Sequence, residues 1–212
     1  MCIRDRSDPF RTDLFIELDK MEQTSFPEMS KEQLYTAHHR QNIGYHMDDG
    51  SLEGSGSDTI PYDNITTRGE LNTIYNQYFL NGESWRQGVF HYGVLLFQYE
   101  EVNGCAFGSN RFQVSANGME EKAQIPWLTT ATVYASALMH ETGHTLGFWP
   151  IPGHNRRSVW PWQLLWWWNH AYKSCMNYGY MYATVDYSDG SRRIPDLDDW
   201  ERMSLDYFEN GW

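Results

Sequence analysis

The run His140-Glu141-Thr142-Gly143-His144 has the spacing of a hydrolytic metal site. Residues i and i+4 lie about one turn apart on one helical face, so His140 and His144 can aim imidazole nitrogens at a single Zn²⁺. Glu141 lies about a quarter-turn round the helix, where it can act on a metal-bound water instead of serving as a third ligand. A catalytic zinc of this kind takes three protein ligands and keeps one position open, so the chain must supply one more group from elsewhere.

The elements around the motif can be read from periodicity and breakers. Thr129 or Thr130 can cap the metal helix, and Gly147 is the natural residue to end it. Val133, Ala137, His140, His144 and Gly147 share one side of that helix, while Ala131, Ala135, Leu138 and Thr142 share the other. One face is expected on a sheet and the other towards a cleft. Upstream, residues 13–19 read as a strand, Ser30 to Gln41 as a helix capped by Ser30, and residues 43–47 as a second strand, a β-α-β order that predicts parallel neighbours. Residues 51–58 are Gly- and Ser-rich and mark a loop, and Arg68 to Leu80 reads as a helix. Val89 to Tyr99 reads as a strand buried on both faces. Arg111 to Ala116 alternates in character and predicts an edge strand. Asp196 to Phe208 reads as a closing helix with acidic residues at its positive end.

At 212 residues the chain suits a single domain with a substantial core. The first residues, 1–7, look unlike the rest and read as a leader or scar. The catalytic unit is therefore placed at 8–212, with lobes of about 8–147 and 148–212, and any secretion signal or pro-segment is expected to precede it. A net charge of −12 argues against nucleic acid and against anionic membrane surfaces as partners. No apolar run approaches the roughly 18 residues of a transmembrane helix. His38, His39, His46 and His91 are expected to be structural or surface histidines. Asp48-Asp49, Asp186-Asp189 and Asp198-Asp199 could hold Ca²⁺ but lack the spacing of a calcium loop, so turn and cap roles are preferred. Cys105 and Cys175, the cysteines outside the leader, are enough for one disulfide; the alternative is a buried free thiol.

Ser174-Cys175-Met176-Asn177-Tyr178 resembles the Met-turn of metzincin metalloproteases, and with HETGHTLG it makes the chain similar to that clan. NHAYKSCMNYGY, VDYSDG and DLDDWERMSL also resemble a little-characterised group of microbial secreted zinc metalloproteases. The resemblance implies an α+β, two-lobed zincin: a twisted mixed sheet backed by helices, the active-site helix, and a smaller irregular C-terminal lobe. It implies Met176 beneath the metal, and an extended protein or peptide substrate in the cleft, paired with the edge strand assigned to Arg111–Ala116. The activity it implies is a secreted, zinc-dependent endopeptidase in which Glu141 is the general base for a zinc-activated water and Tyr178 donates to the developing oxyanion. In the clan the third ligand falls six residues after the second histidine, and here that position is Pro150, which cannot ligate. His154 is the nearest downstream imidazole, carried on a loop four residues longer; His170 and Asp186 remain alternatives. A glutamate-zincin closed by Glu201 is a rival ligand set.

Phe148 to Tyr172 holds six of the ten tryptophans. These could line a pocket, bind sugar rings or membrane, or pack the small lobe; packing plus part of a pocket wall is expected, because exposed they would form a large apolar patch. A rival of another class is a non-catalytic binding module with a degenerate metal site and an aromatic loop that grips carbohydrate or protein.

Overall fold

The computed structural model describes residues 10–51, 55–79 and 84–204. The residues read as a leader or scar (1–7), part of the 51–58 loop, and the last residues expected in the second and closing helices lie outside them. The chain is α+β, with six strands in one mixed sheet and six α-helices among the described residues. β1 (Thr12–Met21), α1 (Glu28–Arg40) and β2 (Ile43–Asp48) form the expected β-α-β unit, with β1 and β2 parallel. β3 (Thr59–Ile60) pairs with the end of β1, and α2 (Arg68–Ile74) runs on into a π turn at Tyr75–Phe79. β4 (Phe90–Leu96), β5 (Gly104–Gly108) and β6 (Arg111–Ser115) complete the sheet in the order β2-β1-β4-β6-β5. α3 (Ala116–Ala123), α4 (Thr130–Thr145), α5 (Leu164–Asn169) and α6 (Asp199–Arg202) follow.

Both faces of the sheet are covered, as a mostly parallel sheet requires. On one side Leu14, Ile16 and Leu18 of β1 and Leu95 of β4 join the core built by α1 and α4. On the other, Phe90, Tyr92, Val94 and Leu96 of β4 pack with Leu71, Ile74, Tyr75 and Phe79. All seven residues of β4 are buried, in keeping with its nearly continuous apolar run.

Three expectations are corrected. Arg111–Ala116 is not an edge: β6 lies between β4 and β5, and β5 is the edge. The polar residues of β6 are buried because they are satisfied internally, with the Ser115 hydroxyl accepting from the Tyr99 N–H (3.0 Å) and donating to Gln113 (3.3 Å). Alternation in sequence therefore did not mean alternation of exposure. Ser30 is not a cap; α1 starts two residues earlier, and the Ser30 hydroxyl donates to the Ala131 carbonyl at 2.8 Å, tying α1 to α4. Among the described residues, the closing helix is only α6, four residues long and capped by Asp198, which accepts from the Glu201 N–H.

Charged residues cluster at the ends of β1 and β2. Arg86 is buried between Glu17 and Asp48, and Lys31 pairs with Asp49 at 2.5 Å. Burial alone would raise the Asp49 carboxyl, but the hydrogen bonds from Lys31 and Ser51 and the charges of Lys20 and Lys31 hold it at about 2. Because the folded value lies below the unfolded one, the stabilisation is complete above about pH 4 and is lost as the pH falls towards 2. Lys31→Met should therefore cost about 1–2 kcal/mol at neutral pH and flatten the acid limb of the stability profile in urea titrations; an unchanged limb would show that the pair contributes nothing.

Candidate metal centre

α4 begins where the sequence indicates, with Thr129 accepting from the Thr132 N–H at 3.1 Å. It ends in a Schellman arrangement: the Phe148 N–H donates to the Gly143 carbonyl (3.2 Å) and the Gly147 N–H to the His144 carbonyl (3.4 Å), with Gly147 at φ +80°. That geometry satisfies the last carbonyls and turns the chain towards Pro150. The expected division into a sheet face and a face towards a cleft holds at His140 and Glu141, which line a cleft, but not along the rest of the helix. Twelve of the sixteen α4 residues, Val133 to Gly143 and Thr145, are buried, because the C-terminal segment covers the side opposite the sheet. The Ser136 hydroxyl accepts from the Tyr182 N–H at 3.0 Å, and the Met139 carbonyl accepts from the Tyr187 hydroxyl.

His140, His144 and His154 converge. Their Nε2 atoms lie 3.3 Å (140–144), 3.3 Å (140–154) and 3.1 Å (144–154) apart. The loop that delivers His154 is turned by Gly153 at φ +75°, and its Gly153 carbonyl accepts from the Tyr178 N–H at 3.3 Å. His140 Nδ1 lies 2.8 Å from the Cys175 carbonyl; with the proton on Nδ1, the Nε2 lone pair faces the other two rings. Burial, reinforced by the neighbouring imidazoles, depresses His140 and His144, the latter to about 4, and burial depresses His154. Three neutral imidazoles whose ring nitrogens face one another are poorly satisfied by mutual hydrogen bonds, whereas a cation would serve all three.

The fit to zinc can be tested on the distances. Zn–N bonds of about 2.0–2.1 Å in a tetrahedron require nitrogen separations of about 3.3–3.4 Å, which is close to the triangle observed. Among the described residues, this is the one group of His, Cys, Asp or Glu side chains arranged to hold a metal ion. Pro150 offers only its carbonyl, which accepts from Arg202. His170 is stacked on Trp166, with Nδ1 bonded to the Trp167 carbonyl and Nε2 to Arg193. Asp186 faces Arg40, and Glu201 contributes its N–H to the α6 cap. The acidic pairs named for calcium are engaged as turn, cap and ion-pair groups, Asp48 with Arg86 and Asp189 with Ser191.

Glu141 is 3% exposed, and its Oε2 has no hydrogen-bond partner. Burial pushes its carboxyl up to about 8, against a hydrogen bond from the Ala106 backbone on β5 that favours the charged form. β5 comes this close because residue 104 is glycine; a Cβ there would collide with the Glu141 carboxylate. Gly143 serves the same purpose below the helix, where any side chain would strike the Met176 sulfur. Met176 is fully buried there, and Tyr178 packs on His154 with ring centroids 4.3 Å apart. His140, Glu141, Tyr178, Gly104 and Trp160 line one cleft of ≈ 520 Å³.

Two residues of this region were not found by sequence reasoning. Tyr182 lines the same cleft, interacts with Asn103 and Glu141, and holds a left-handed backbone at φ +74° that the Ser136 bond fixes. A non-glycine residue in that region is strained, and no local signal announces it. Asp199, named only among acidic turn residues, is buried under the Met176 turn. Its carboxylate accepts from the Tyr172 hydroxyl (2.7 Å), the Ser174 hydroxyl (2.7 Å) and the Ser188 N–H (3.1 Å). Asp199→Ala should cost about 2–4 kcal/mol in denaturant unfolding by orphaning those donors, with Asp199→Asn milder; a loss under about 0.5 kcal/mol would show that the network does not hold the turn.

Cys105 and Cys175 are both free. Cys175 belongs to the core against α4, whereas Cys105 packs with the cluster on the other sheet face, so the bridge between them is not formed. In comparison with known proteins, no family model matches the chain and no curated protein matches it significantly.

Proposed function

We propose that the protein is a zinc-dependent endopeptidase of metzincin-like, two-lobed architecture. The observation that carries this reading is the triangle of His140, His144 and His154 nitrogens, with His140 and the next residue, Glu141, whose buried Oε2 has no hydrogen-bond partner, both lining one cleft. The Ser174–Tyr178 turn beneath the helix, with Met176 against Gly143, supports the resemblance seen in the motifs. His140, His144 and His154 would hold the zinc. When bound, it supplies Lewis acidity that activates a water and polarises the scissile carbonyl.

The rest falls to the protein's own groups. Glu141 accepts a proton at Oε2 and hands it to the departing amine. Tyr178 donates its phenolic proton in a hydrogen bond to the oxygen of the attacked carbonyl. An extended peptide or protein segment pairs with the edge of β5, whose Gly104 lines the cleft. Trp160 and Trp127 offer apolar walls to its side chains.

Chelation followed by dialysis should abolish cleavage of an unfolded protein substrate, and near-stoichiometric zinc should restore it and raise Tm by mass action. Cleavage indifferent to chelation would overturn the proposal. The binding-module alternative expects metal uptake without cleavage under the same conditions.

A further inference from the structure

The tryptophans after α4 are not packed away. Trp162 is 77% exposed, Leu164 84%, Trp168 71% and Ile194 89%, and of the six residues of α5 only Asn169 is buried. Of the tryptophans from 160 to 168, Trp160 alone lines the cleft, so the expected packing and pocket-wall role is confined to a minority of the rings. Ring and hydrogen-bond contacts link parts of this segment to one another and to Arg193. Trp160 and Trp162 stack at 5.1 Å, Gln163 binds the Arg156 carbonyl at 3.0 Å, and Trp166 stacks on His170, which Arg193 contacts at 2.9 Å beside Ile194.

The segment that carries the tryptophans has a charge opposite to that of the whole protein, although Arg193 and Ile194 belong to a stretch that also holds Asp189, Asp196 and Asp198. Between Glu141 and Asp186 the chain contains Arg156, Arg157 and Lys173 and no Asp or Glu, although the whole carries −12. Arg156, Arg157, Lys173 and Arg193 are exposed. The net charge argues against an anionic surface only if it is spread evenly, and it is not. Indole rings and leucine tips on a segment that carries cations and no acidic residue match the interfacial zone of an anionic bilayer, where tryptophan lies at headgroup depth and each nearby Lys or Arg adds affinity. The acidic remainder would be repelled, which fixes the orientation. Among the described residues no helix is long and apolar enough to cross a membrane, and the contact considered is with the bilayer surface.

We propose that the Trp160–Trp168 segment, with Ile194 and the four cations, docks the protein on an anionic phospholipid surface. Trp160 belongs both to this patch and to the cleft, so docking brings the cleft mouth to the bilayer.

The test is binding of the intact protein to vesicles of phosphatidylcholine with and without phosphatidylglycerol, followed by sedimentation and by tryptophan emission with brominated lipids. Anionic vesicles should bind at least about tenfold tighter than neutral ones, with a blue shift and quenching, and added salt should weaken binding. Trp162→Ser/Leu164→Ser/Trp168→Ser should weaken binding by about 100-fold with circular dichroism and Tm unchanged, and Arg156→Glu/Arg157→Glu by about tenfold. Absence of vesicle binding, indifference to phosphatidylglycerol, or full binding by the triple variant would overturn the proposal. So would a concentration-dependent dimer that hides these tryptophans from acrylamide, or retention on a glycan column with no vesicle binding.

Discussion

Glu141→Gln is expected to leave zinc content unchanged and to lower peptide hydrolysis by about 10³-fold or more, within the range that general-base removal produces. Gln has nearly the same shape, so the Ala106 N–H can still be satisfied by the amide oxygen. The amide nitrogen then occupies the place of the unpartnered Oε2 and cannot accept a proton. Metal analysis of the purified variant beside kcat/KM on a quenched peptide separates the two effects. Undiminished turnover would remove Glu141 from the reaction, and lost zinc would mean that it is a ligand or a structural support instead.

His154→Ala should weaken zinc binding by more than about 10²-fold, beyond the 10–100-fold typical of groups that only orient a ligand. It leaves two imidazoles where a catalytic zinc needs three protein ligands. Activity should fall in step and return partly in excess zinc. His170→Ala is the control: its ring is held by the Trp167 carbonyl and Arg193 and is expected to affect zinc little. Competition titration against a chromogenic chelator measures both. Normal zinc affinity in His154→Ala would move the third ligand elsewhere while leaving the fold description intact.

The sequence by itself determined those features that depend on local spacing. His140 and His144 share a helical face because they are four residues apart, and Thr129 and Gly147 bound that helix through capping chemistry that needs only neighbours. The parallel β1-α1-β2 unit and the fully buried β4 follow from period and apolar content. The approach of His154 was legible as well, since the motif resemblance puts a third ligand shortly after His144, Pro150 cannot ligate, and His154 is the next imidazole, on a loop with a turning glycine.

Only the tertiary structure decided what depends on distant partners. Gly104-Cys105-Ala106-Phe107-Gly108 has little β-favouring composition, yet it is the edge strand because β6 pairs with it and Glu141 needs the space above Gly104. Ser30 had the chemistry of a cap, but a carbonyl 101 residues away took its hydroxyl. Asp199 became the anchor of the Met176 turn through Ser174, 25 residues earlier. The tryptophans show the same limit from the opposite direction. Their apolar content predicted burial, but the turns that carry them pack through Ser158, Asn169 and Tyr172, leaving the indoles outside; composition gives the tendency to be buried, and the backbone path decides which side chains have a core within reach.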